Sequence, residues 1–167
     1  RRKSLYRIGL TLGYITPFGG ENYYYYDQDD RKWNSTPIMF GYIQNWELKS
    51  NNSILLDGFV SNRKMGIDLT YNTYLNKSDN SIFYGYGLGW HAGFQQELGE
   101  YDDYSDTYGY DITLRHGPAA IGQVGYVFMR TYNTNIMLRA KYHFQFSTLE
   151  GNYDNGITFG VSIIKKF

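Results

Sequence analysis

The sequence predicts an all-β protein, an eight-stranded antiparallel up-and-down transmembrane β-barrel. Three observations carry this. Apolar and polar residues alternate with a period of two along eight segments. The face opposite the large apolar residues is rich in Gly, Ser and Thr rather than Lys and Glu. The links are short and Asn-rich at one end, and mostly longer and Tyr-rich at the other. A period of two marks a strand whose two faces meet different surroundings. A soluble sandwich would carry charged residues on its wet face. Small polar residues there point to a narrow, crowded interior behind a lipid-facing surface.

The last segment shows the pattern without a break. Ile157, Phe159, Val161, Ile163 and Phe167 share one parity, and Thr158, Gly160 and Ser162 the other. The first, from about Ser4 to Thr16, sets Tyr6, Ile8, Leu10, Leu12 and Tyr14 against Arg7, Gly9, Thr11 and Gly13. The second, about Ile38 to Leu48, sets Ile38, Phe40, Tyr42, Trp46 and Leu48 against Gly41, Asn45 and Glu47. The third, Ile54 to Ser61, is the weakest, with Asp57 and Phe59 inside. The fourth, Met65 to Leu75, turns Ile67, Leu69, Tyr71 and Leu75 out and Gly66, Asp68, Thr70 and Asn72 in. The fifth is the clearest: Ile82, Tyr84, Tyr86, Leu88, Trp90, Ala92 and Phe94 oppose Gly85, Gly87, Gly89, His91, Gly93 and Gln95. The sixth, about Ala119 to Met129, sets Val124, Tyr126 and Phe128 against Ile121, Gln123 and Gly125, with a bulge expected at Pro118. The seventh opposes Ile136, Leu138, Ala140, Tyr142, Phe144 and Phe146 to Arg139, Lys141, His143, Gln145 and Ser147.

Links at Lys49 to Ser53, Asn76 to Asn80 and Thr131 to Asn135 read as tight turns. Pro17 to Thr36 and Glu97 to Thr113 read as long loops, Thr148 to Gly156 as an intermediate one, and Asn62 to Lys64 as an unexpectedly short one. Composition agrees. The 167 residues suit one domain over 1–167, and 19 Tyr with 3 Trp suit membrane–water interfaces. No run of about 18 apolar residues allows a transmembrane helix. Zero formal charge leaves no footprint for nucleic acid, and the absence of Cys removes disulfides and Cys-based metal sites. Arg1-Arg2-Lys3 has no apolar stretch after it, so numbering is expected to begin after any signal segment.

The eight amphipathic strands and the terminal Gly-Val-Ser-Ile-Ile-Lys-Lys-Phe resemble the small outer-membrane barrels of Gram-negative bacteria, of the OmpA/OmpX type. The resemblance spans the chain and is architectural. It implies residence in the bacterial outer membrane, with lipid and lipopolysaccharide around the barrel and both termini periplasmic. It also implies that Phe167, in phase with the lipid-facing residues, is the signal read by the barrel-assembly machinery.

Inward parity gathers Arg7, Glu47, Asp57, Asp68, His91, Arg139, Lys141 and His143 into a polar lumen. Charges in so narrow a space must pair, because an unpaired buried ion is very costly. An eight-stranded barrel is just wide enough to be filled by side chains. The expectation is therefore an ionic plug that holds the barrel together. A lipocalin-like carrier would need an apolar cavity instead.

His143, Gln145, Ser147, Glu150 and the Asn152 to Gly156 stretch loosely resemble lipid A deacylases, whose His-x-Ser pair and later acidic residue form a hydrolase arrangement. Gln145, two after His143, is no nucleophile. Ser147 lies about 13 Å along an extended strand, and parity puts His143 inside. Lipid A hydrolysis is therefore the alternative function, and a non-enzymatic barrel the expected one. A further alternative is an accessory barrel subunit of a larger outer-membrane complex. A metal site needs three converging ligands. Only His91 and His143 share inner parity, with His116 left open by Pro118, so neither metal nor cofactor is expected. The outer loops supply candidates for binding a protein partner: Tyr24, Tyr25 and Tyr26, then Tyr101, Tyr104 and Tyr108 among acidic residues. Tyr gives a large contact area at low entropy cost.

Overall fold

In a computed structural model, residues 5–18, 38–49, 51–61, 64–102, 107–146 and 153–166 are described. They form strands β1 (Leu5–Phe18), β2 (Ile38–Lys49), β3 (Asn52–Ser61), β4 (Lys64–Tyr74), β5 (Ser81–Asp102), β6 (Thr107–Phe128), β7 (Thr134–Phe146) and β8 (Tyr153–Lys166). Each pairs antiparallel with its sequence neighbours, and β8 returns to β1 to close a barrel with no edge. Closure gives each strand a partner on both sides where all eight run side by side, which hydrocarbon demands.

The alternation has the predicted hand. Leu10 and Leu88 are 70% and 71% exposed, and Phe40, Ile67, Tyr86, Trp90, Phe159 and Ile163 point outward with them. In water such a continuous apolar belt would drive association. Around a closed barrel it meets lipid. Six strands of 10–14 residues match the length a tilted spanning strand needs, roughly 9–11 residues plus interfacial ends.

One end is tied together by its turns. The Leu75 amide donates to the Ile82 carbonyl (2.9 Å), and the Asn76 side chain accepts from Ser78. Met129 takes a positive φ of 56° at the β6–β7 turn. The Arg130 amide donates to the Asp79 carbonyl (2.7 Å), and Met129 donates to the Asn80 side chain, so two neighbouring turns brace each other. Inside, β4 and β5 approach closely at Gly87. A Cβ there would stand 2.7 Å from the Thr70 Cα, so only Gly fits this register.

Three expectations need correction. The segment read as a loop from Glu97 to Thr113 is mostly strand: β5 and β6 stay paired to Asp102↔Thr107, with one register shift between Leu98 and Tyr101. Among the described residues, beyond Gly93, the last β5 residue paired with β4, and below Ala119, the last β6 residue paired with β7, these strands pair only with each other. They form a two-stranded ribbon above the barrel, where no lipid imposes the apolar alternation that marks a spanning strand. Pro118 causes no bulge, because the register runs unbroken through Trp90↔Pro118. A Pro there is tolerated because, among the described residues, the β6–β7 register ends one residue away at Ala119↔Gln145, so the missing amide does not interrupt that ladder. Finally, the lumen is not polar throughout. Ile43, Leu55, Tyr74, Phe83, Val127, Met137 and Ile164 form a buried apolar layer across it.

Candidate functional site

The interior is stacked in layers. At the turn end, Arg7 Nη1 donates to Glu47 Oε1 (2.9 Å) and Nη2 to the Arg130 carbonyl (2.6 Å). Arg130 Nε also reaches Glu47 Oε1 (3.4 Å), while its guanidinium lies 3.7 Å from the Tyr74 ring centroid. Asn135, with its amide oxygen turned to Arg7, donates to the carbonyls of Met129 and Tyr132. One carboxylate thus holds two guanidiniums over the mouth. The apolar layer follows and separates this cap from the middle of the barrel.

Above it runs a continuous ionic chain. Arg139 Nη1 donates to Asp57 Oδ2 (2.8 Å), and Nη2 to Thr11 Oγ1 (3.1 Å) and Ser162 Oγ (3.2 Å). Lys141 Nζ bridges Asp57 Oδ2 (2.5 Å) and Asp68 Oδ2 (2.7 Å). Asp68 Oδ1 lies 2.7 Å from His91 Nε2, and His143 Nε2 lies 2.8 Å from Thr158 Oγ1. The chain draws on β1, β3, β4, β5, β7 and β8. Two carboxylates face the Arg139 guanidinium and the Lys141 ammonium, so opposite charges are matched within the chain. Asp57 and Asp68 are wholly buried, and such groups persist only when paired and hydrogen-bonded.

Phe59 floors the histidines. Its ring meets His91 edge-on (5.2 Å between centroids) and His143 at 5.7 Å. Gly66 makes the room, since a Cβ there would stand 2.5 Å from His91 Cδ2 and 2.8 Å from the Phe59 ring.

All eight sequence-selected lumen residues lie in the interior, in two groups rather than one. Arg7 and Glu47 belong to the turn-end cap; Asp57, Asp68, His91, Arg139, Lys141 and His143 to the middle. Arg130 joins the cap from a turn, where strand parity gives no signal. Thr11, Thr158 and Ser162 carried inner parity in the sequence and complete the chain as hydroxyl partners. His116 points outward and stacks on Trp90 at 5.9 Å. Tyr101 and Tyr108 are register partners in the β5–β6 ribbon rather than loop residues. Tyr24, Tyr25, Tyr26, Tyr104, Ser147, Glu150 and Phe167 lie outside the described residues.

No protein-family model matches the sequence, and no curated protein does. Solved structures do. Neisserial surface protein A aligns over 98% of this chain and 97% of its own, at TM-score 0.60 and 8% identity. The outer membrane protein OprG from Pseudomonas aeruginosa aligns over 98% and 95%, at TM-score 0.60 and 10% identity. The outer membrane enzyme PagL aligns over 96% and 99%, at TM-score 0.51 and 10% identity. At such identities the likeness is one of fold. A closed eight-stranded antiparallel barrel, with an apolar belt outside and side chains filling its interior, is the fold that this chain has in common with these outer-membrane barrels.

Proposed function

We propose that this chain serves the bacterial outer membrane as a closed, non-enzymatic scaffold. It carries Tyr-rich acidic segments at the outer surface for envelope integrity or for binding a protein partner, with lipid and lipopolysaccharide around it. The observation that supports this best is the filled interior: a cap of Arg7, Glu47 and Arg130, a layer of seven buried apolar residues, then the Arg139–Asp57–Lys141–Asp68 chain. A solute passing through would have to break ion pairs and cross an apolar layer in succession. Purified barrel in a planar bilayer is expected to give no stable conductance; a large, long-lived open level would overturn the scaffold reading. The role of the outer segments is tested in cells lacking the protein. Wild type is expected to restore resistance to detergent, whereas Tyr24, Tyr25 and Tyr26 changed together to Ser is not. Full rescue by the triple variant would place the function in the barrel wall alone.

The shared fold with an outer membrane enzyme keeps lipid hydrolysis as the second reading. Against it stands the placement of His143, which is buried in the lumen on a regular strand and engaged with Thr158, with Gln145 two residues on also buried. Neither faces a lipid substrate.

A further inference from the structure

We propose that Asp68, His91 and His143 form a binding site for a transition-metal dication inside the barrel. Their donor atoms lie within 4.8 Å of one another, and all three residues are buried. Asp68 supplies the third converging donor that a count of histidines misses.

The arrangement has an electron-rich gap. His143 Nε2 lies against Thr158 Oγ1. When that nitrogen carries the hydrogen and donates it, Nδ1 is left as a bare lone pair. It faces Asp68 Oδ2 at 3.9 Å, with its side chain 3% exposed, and it has no hydrogen-bond partner among the described residues. A lone pair opposite a carboxylate, away from water, is stabilised by a cation between them. Metal-bound imidazoles characteristically direct their second nitrogen to a protein partner that fixes the ring, and Thr158 stands in that position. An ion coordinated at about 2.0–2.1 Å holds its ligands roughly 3.3 Å apart. His91 Nε2 now stands 2.7 Å from Asp68 Oδ1 and His143 Nδ1 3.9 Å from Asp68 Oδ2, and the donors as a set lie within 4.8 Å of one another, so metal binding draws the two imidazoles and the carboxylate together by ångström-scale rotations.

The surrounding charge selects the ion. Asp57 and Asp68 are already matched by Arg139 and Lys141, whose Nζ also holds Asp68 Oδ2. A hard cation such as calcium or magnesium needs many oxygen ligands, and here it would find one carboxylate beside an ammonium. A borderline ion bound through two imidazole nitrogens gains from ligand type rather than from net charge, which favours copper(II), nickel(II) or zinc.

The test uses tag-free protein with copper(II) added before folding in detergent, and separately after it, because the site is buried. Electron paramagnetic resonance of the wild type is expected to show nitrogen coupling from two imidazoles with at least one order of addition. The His116→Gln variant should match it, while His91→Gln and His143→Gln should each lose one imidazole. Zinc should raise the urea midpoint of the wild type, and calcium and magnesium should leave it unmoved. Should a histidine variant fail to fold, the wild-type spectrum still decides. One imidazole or none in both orders of addition, or a signal that vanishes with His116, would overturn the site.

Discussion

Replacing Asp57 with Ala is expected to remove about 3–5 kcal/mol of unfolding free energy, the range for breaking a buried ion pair from one side. The carboxylate is wholly buried and holds both Arg139 and Lys141. Its loss leaves two cations facing one another with only Asp68 to answer them. Urea titration in lipid vesicles, followed by tryptophan fluorescence, measures the change. A companion variant separates charge from packing. Asp57→Leu combined with Lys141→Met removes one ion of each sign, so that Arg139 and Asp68 remain as one cation and one carboxylate, and should recover part of the loss. A penalty under about 1 kcal/mol for Asp57→Ala is what an exposed pair would give, and it would mean that the interior is wet.

Deleting Phe167 is expected to remove most of the folded barrel from cellular membranes. The strand that precedes it in the sequence, β8, closes the barrel against β1 through pairs running from Arg7↔Lys166 to Phe18↔Asn155. Phe159, Val161 and Ile163 of β8 face outward, and Phe167 continues their parity. If the terminal aromatic is a signal read during assembly, the truncated chain should still fold in detergent while failing in cells. Equal loss in both settings would make Phe167 a packing residue instead. Normal yield in the membrane would remove any special role.

The barrel wall was legible because lipid enforces a strict rule on one face. Leu10, Leu88 and Ile163 had to be apolar and did alternate. The interior obeys a looser rule, which only asks that each layer be filled. Arg139, Lys141 and Asp57 announced themselves by charge. Ile43, Leu55, Met137 and Ile164 did not, because an aliphatic residue at an inward position looks like a break in pattern until its partners across the lumen are known. Arg130 was hidden for another reason: a turn residue has no parity. The β5–β6 ribbon escaped notice because, above the membrane, pairing no longer requires alternation. The grouping of His91 and His143 around Asp68 depends on strand stagger, which a single sequence does not record.

The ionic chain has a kinetic consequence. Its partners are far apart along the polypeptide: Arg139 and Asp57 are separated by 82 residues, Lys141 and Asp68 by 73, and Thr11 and Ser162 by 151. None of these contacts can form within a hairpin. Each inward charge stays hydrated until the far wall arrives, since losing its water earlier would cost several kcal/mol without compensation. Desolvation of the lumen and meeting of the first and last strands are therefore one event. Topologies dominated by distant contacts fold slowly, and here the slow step is the sealing of the ring. Before it β1 and β8 lack each other as partners; after it the ion pairs span the interior from wall to wall.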